Sequence, residues 1–78
     1  MRRPFLTLYD YGTGGIWAYI SAETPDDILA KFRDVVVYES PPEWMTEGRR
    51  REIEAAHSYA IETVEDQHPT FAGLLREG

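Results

Sequence analysis

The sequence contains no cysteine, which removes disulfides and thiolate metal sites together. That absence is compatible with the cytosol. No run approaches the roughly 18 consecutive apolar residues that a membrane-spanning helix needs. Met1-Arg2-Arg3-Pro4-Phe5 carries two basic residues but leads into Thr7, Tyr9, Asp10 and Tyr11 instead of an apolar stretch, so no signal peptide is expected. Positive charge is scarce as well: eight Lys and Arg face fourteen Asp and Glu, a formal net charge of −6. Such a surface repels phosphate backbones and anionic lipid heads, which argues against nucleic acid or membrane as partner. The one basic cluster, Arg49-Arg50-Arg51, lies among Glu47, Glu52 and Glu54 and reads as a solvated helix face. The expectation is an untargeted soluble, cytoplasmic protein. Its 78 residues suffice for one domain with a modest core. Without disulfides, further support must come from self-association, a partner, or good packing.

What is present points to an α+β fold. Residues 5–11 and 16–20 are rich in aromatic and aliphatic side chains and read as strands. Gly12-Thr13-Gly14-Gly15 between them marks a hairpin, because glycine reaches positive φ without strain. Thr24 caps a first helix, with Pro25 at its first position and Asp26 and Asp27 at the positive end of its dipole. Thr24-x-x-Asp27 approximates a capping box, and the helix stops near Asp34. Val35-Val36-Val37-Tyr38 is a third strand, ended by Pro41 and Pro42, and Ser40-x-x-Glu43 opens a turn through Trp44 and Met45. Ile53, Ala56, His57, Ala60, Ile61 and Val64 recur at helical spacing and predict a long amphipathic helix over residues 46–66, roughly 30 Å in length. Helix geometry fails before His68-Pro69, and Phe71, Leu74 and Leu75 predict a short docking tail. The expected architecture is thus a three-stranded sheet in the order ββαβα, with a long C-terminal helix and a helical tail. A right-handed crossover makes the third strand parallel to the second. Its place beside the second strand, or beside the first and antiparallel to it, is left open.

Alternation assigns side chains to faces only once the hairpin register is chosen. A three-residue loop at 12–14 sets Leu8 opposite Ala18 and Tyr9 opposite Trp17, and places glycine at the left-handed position. That register gathers Tyr9, Tyr11, Trp17, Tyr19 and Tyr38 on one aromatic face, with the aliphatic side chains on the other. Two- or four-residue loops would mix the sets. Five rings form a patch that needs a cover: the chain's own long helix or tail, a second copy, or a ligand or other partner.

Constellations for catalysis are thin. Gly12-Thr13-Gly14-Gly15 lacks the Lys-Ser/Thr of a phosphate loop and precedes a strand. Glu54-x-x-His57 has a spacing used in carboxylate-bridged metal bundles, but no second copy exists, so no metal or other cofactor is expected and His57 reads as a hydrogen-bonded interior residue. Asp10 either stabilises the turn or orients a ligand beside the rings. Trp44 either anchors its loop or presents a contact surface. No Ser/His/acid or Cys/His set can be assembled.

Composition and pattern favour a binding or assembly module acting by protein contact, as a homodimer or an accessory subunit, with an acidic surface suited to a basic partner. The alternative is an enzyme or small-molecule carrier, with a pocket between the aromatic face and the long helix and with Asp10, Tyr19, His57 and Tyr59 as polar contacts. RNA stacking on sheet aromatics is a third option that the charge disfavours.

Overall fold

The computed structural model describes residues 1–76. The hairpin forms first in sequence: β1 (Arg3–Asp10) pairs antiparallel with β2 (Gly15–Ala22). Next comes α1 (Pro25–Lys31), whose capping box is complete: Thr24 Oγ1 accepts from the Asp27 amide and Asp27 accepts from the Thr24 amide. β3 (Val35–Tyr38) pairs antiparallel with β1, the second of the two placements left open by the sequence. Between them Asp34 takes a left-handed φ of 61° to turn the chain into the strand.

The predicted helix over 46–66 does not form as one element, and the sheet has four strands instead of three. α2 (Glu47–Ala56) ends at His57, whose ψ of 64° leaves the helix. β4 (Ser58–Ala60) then pairs parallel with β2, and α3 (Val64–Gln67) and α4 (Pro69–Ala72) follow. The strand order is β3-β1-β2-β4. The physical reason is the second strand's open edge. Left alone, it would present unpaired backbone groups. The break lets the Tyr19 amide donate to the His57 carbonyl (2.8 Å) and the Ile61 amide to the Ser21 carbonyl (3.1 Å). The helical stripe was also weaker than its period suggested. Ile53 and Val64 are both buried, but in separate clusters on opposite sides of the sheet.

Three strands run parallel, with β1 antiparallel among them. The crossover from β2 through α1 passes over β1 to reach β3, and the crossover from β3 through α2 returns past both to reach β4. Reversing direction while keeping one hand places the two helices on opposite faces. Ile28 of α1 accordingly packs with Phe5, Ala18, Ile20, Phe32, Val64 and Phe71, while Ile53 of α2 packs with Leu6 and Tyr19.

The hairpin register also differs from the expectation. Leu8 pairs with Trp17, Tyr9 with Ile16 and Asp10 with Gly15, across a four-residue loop. Of the three glycines at the turn, Gly12 alone has positive φ, 96°. Gly14 and Gly15 serve close approach instead: a Cβ at Gly14 would lie 2.8 Å from the Tyr11 hydroxyl, and one at Gly15 2.6 Å from Leu8 Cδ1. This register pairs Thr7 with Ala18, small and fully buried, at the centre of the α1 face, and leaves Phe32 and Phe71 room to meet edge to face (5.5 Å, 69°). The C-terminal tail docks through Phe71 and Leu74, both buried, and the Arg33 amide bonds to the Leu74 carbonyl (2.8 Å), whereas Leu75, also expected to dock, is exposed. Because Phe71 is fully buried in the larger cluster, Phe71→Ala is expected to cost about 3–5 kcal/mol. Urea unfolding measures this, and a loss below about 1 kcal/mol would show that the tail is dispensable to the core.

Candidate functional site

The observed register sorts the face beneath α2 into rows across the strands. Asp10 and Gly15 form the row at the turn. Val36, Leu8 and Trp17 form the next, and Tyr38, Leu6 and Tyr19 the one after. The last row is covered, because Ile53 and Met45 pack against it and Leu6 and Tyr19 are buried. α2 contributes one buried residue, Ile53, and so covers one row. The middle row stays open: Val36 is 49% exposed, and Leu8 and Trp17 are half-buried.

Trp44 lies beside this open row at 68% exposure. The chain after Tyr38 passes through Pro41 and Pro42, and a turn in which the Met45 amide donates to the Pro42 carbonyl (3.0 Å) sends Trp44 towards the sheet. Its ring meets Trp17 edge to face (5.7 Å, 70°), and Trp17 stacks on its other neighbour, Tyr38 (5.9 Å, 27°). Of the two roles considered for Trp44, neither is complete: it touches the sheet, yet most of its surface is presented outward. The open groove between turn and tryptophans has a volume of about 380 Å³ and is lined by Leu8, Asp10, Gly12, Gly14, Gly15, Trp17 and Trp44. Asp10 is its charged residue. Asp10 Oδ1 accepts from the Gly12 amide (2.8 Å), the turn-stabilising role anticipated for it.

The five-ring face is corrected by this geometry. Trp17, Tyr19 and Tyr38 share the α2 face with Leu6 and Leu8. Tyr9 belongs to the opposite face with Ile16 and Val35, and Tyr11 sits in the turn, 53% exposed and tilted against Tyr9 at 6.1 Å. Three rings come together, and the fourth member, Trp44, arrives from the loop. Each face mixes aliphatic and aromatic residues, because packing needs large and small side chains together, not one chemical type.

A second cleft, about 470 Å³, lies between α2 and the start of β2, lined by residues including Trp17, Arg49, Glu52, Ile53, His57 and His68. His57 is not the interior residue expected; it is exposed at the end of α2, with Nδ1 3.4 Å from the Tyr59 hydroxyl. His68 is the more enclosed imidazole. Its ring packs against Phe71 (5.0 Å, 79°), Tyr59 (5.7 Å, 86°) and His57 (6.0 Å, 54°), and its Nδ1 is buried without a protein partner among the described residues. Glu54 borders a different cleft, with Pro4, Leu6 and Tyr38, so Glu54 and His57 do not converge. Among the described residues no group of three or more His, Asp or Glu could hold a metal ion. Among them, too, no helix is long and apolar enough to cross a membrane. A further concavity, about 540 Å³, lies at the C-terminal tail beside Arg33 and Arg76, whose guanidinium groups already bond the Gly73 and Leu29 carbonyls.

Comparison with protein-family models, curated proteins and solved structures finds no match for this chain.

Two predictions follow from the buried polar groups. The Tyr19 hydroxyl is buried with no protein partner among the described residues, so Tyr19→Phe removes a desolvated group without changing shape. Thermal unfolding is expected to show an unchanged or raised Tm; a loss beyond about 1 kcal/mol would mean that the hydroxyl has an essential partner. The second concerns His68. Burial, and then the nearby His57, hold its pKa below the ordinary value for an imidazole, against a smaller opposing effect of a backbone hydrogen bond. The neutral ring is thus favoured in the fold. Its contribution is fully present above the unfolded pKa, about 6.5, and is lost as pH falls through the lower folded value. Urea midpoints of wild type and His68→Gln should therefore diverge on acidification from about pH 7.5 to about pH 5.5, wild type losing more. Parallel profiles would refute the assignment. Glu65 acts in a lower window: its hydrogen bond from Lys31 (2.8 Å) lowers its pKa, so that contribution is lost only below the ordinary carboxylate range.

Proposed function

We propose that this protein is a contact module whose docking surface is the open row of the sheet, Leu8, Trp17 and Val36, together with Trp44. The observation that carries this reading is Trp44 itself, packed edge-on against Trp17 while 68% exposed. Exposed tryptophan beside a partly covered tryptophan and aliphatic neighbours is the composition that concentrates binding energy at protein interfaces. The neighbouring β3 is also a sheet edge, whose outer backbone groups suit an extended segment laid alongside it.

Charge favours a different protein over a second copy. The chain carries a net −6, and Asp10 stands in the groove. A two-fold dimer through this face would bring like charges together, whereas a basic segment complements them. The homodimer expected from composition is therefore the weaker form of the proposal, and the accessory-subunit form the stronger. The proposed setting is the cytosol, where a chain without disulfides loses nothing.

Selection of a displayed random-peptide library on wild type and on Trp44→Ala, side by side, tests the reading. Wild type is expected to enrich sequences combining apolar and basic residues, bound about thirtyfold more weakly by the variant, as for a dominant interface residue. Enrichment no better than on the variant would reject the docking surface. A dimer that persists on dilution of the wild type but not of Trp44→Ala, read by light scattering, would instead assign the face to a second copy.

A further inference from the structure

We infer that the groove between the hairpin turn and the two tryptophans is an anchor site for an arginine side chain; this rests on the contact-module reading and specifies its chemistry. The argument starts from the row at the turn. Asp10 and Gly15 face each other across the hairpin on the same side as Leu8 and Trp17. Gly15 has no side chain, and any Cβ there would meet Leu8 Cδ1 at 2.6 Å and approach Trp17 Nε1 at 3.7 Å. Leu8 and the Trp17 indole close over this bare backbone instead, and Asp10, Trp17 and Trp44 line the open groove beside them. That groove, of about 380 Å³, is large enough for one long side chain.

Asp10 is prepared for a cation. The turn occupies Oδ1 through the Gly12 amide and so holds the carboxylate in place. Among the described residues no Lys or Arg pairs with it; the ion pairs lie elsewhere, between Arg2 and Glu62, Lys31 and Glu65, and within α2. Oδ2 is left to accept from a ligand. Trp17 and Trp44, at 70° to one another, offer a corner of two indole surfaces beside that carboxylate. A cation over an indole face is attracted by the ring quadrupole, and the attraction grows as water is excluded. Arginine fits this pairing better than lysine. Its planar guanidinium lies flat on an indole while its N–H groups reach the carboxylate, and it loses less hydration on entering an apolar site than an ammonium does. The acidic surface as a whole draws such a side chain in.

The test is an NMR titration of the ¹⁵N-labelled protein with three probes: N-acetyl-arginine amide, its lysine counterpart and its citrulline counterpart. Citrulline keeps the planar head but not the charge. Arginine amide is expected to shift the Trp17 and Trp44 indole N–H signals and the Gly12 and Gly15 amides, and to bind roughly tenfold more tightly than citrulline amide, as expected for a lost hydrogen bond between charged groups. Lysine amide should fall between them. Asp10→Asn keeps the turn, because asparagine accepts the same backbone bond, and should narrow the difference between arginine and citrulline to the part that the indole faces contribute. Equal binding of arginine and citrulline by wild type, or no shift up to the solubility limit, overturns the inference without any variant being needed. If peptides from the library still depend on Trp44 in that case, the docking surface stands and only its arginine anchor falls. If that dependence is missing too, both fall.

Discussion

The pairing of Leu8 with Trp17, held by a turn in which the Tyr11 amide donates to the Gly14 carbonyl and the Gly12 amide to Asp10, decides what each face of the sheet carries. A shift of one residue in either direction would carry every side chain of β2 to the other face. In the register adopted, Thr7 and Ala18 meet at the centre of one face and let three phenylalanines, Phe5, Phe32 and Phe71, build the larger cluster around them. The same register places Asp10 and Trp17 on the other face, on either side of a glycine. Core packing and groove are two outcomes of one turn.

The second constraint is how little α2 can bury. Its ten residues include one buried side chain, Ile53, and its charges satisfy one another: Arg51 and Arg50 reach Glu47 at 2.9 and 3.8 Å, and Arg49 reaches Glu52 at 3.4 Å. Such exposed pairs contribute little to stability, but they neutralise the helix locally and leave Asp10 as the charge that the groove presents. A helix with a second large apolar residue one turn earlier would cover the middle row and close the surface. The polar sequence of α2 therefore keeps Leu8, Val36 and Trp17 accessible as directly as Trp44 extends them.

The hairpin, the α1 capping box, the β-branched third strand and the docking of Phe71 and Leu74 were all legible, because each rests on a local signal: glycine at a turn, a Thr-x-x-Asp spacing, a run of valines, proline before large apolar residues. β4 was not. Ser58, Tyr59 and Ala60 sit inside a stripe of helical period, and nothing local says that β2 needs a partner on its far edge. That need arises only once β3 has gone to the other side of β1. The register failed for a related reason. Three glycines in four residues permit several turns, and the choice depends on which side chains must be small where Phe32 and Phe71 arrive from distant parts of the chain. Trp17 and Asp10 were singled out in the sequence, but their shared groove depends on that register. The enclosure of His68 was not legible, because Tyr59 and Phe71 meet its ring only once β4 and α4 are in place.

Trp44 shows where these constraints meet. Inside a core an indole needs a partner for its N–H and a cavity of its own size, and this small fold has filled its two clusters without it. Placed at the rim, Trp44 shields one flank of Trp17, which lies between the groove at the turn and the cleft holding His57 and His68. Filling the groove would complete the enclosure that Trp44 begins, removing apolar surface from water on both rings at once. A side chain of the kind proposed would meet groups already held in place, with Trp17 between Trp44 and Tyr38 and Asp10 fixed by the Gly12 amide, so that little ordering would oppose its association.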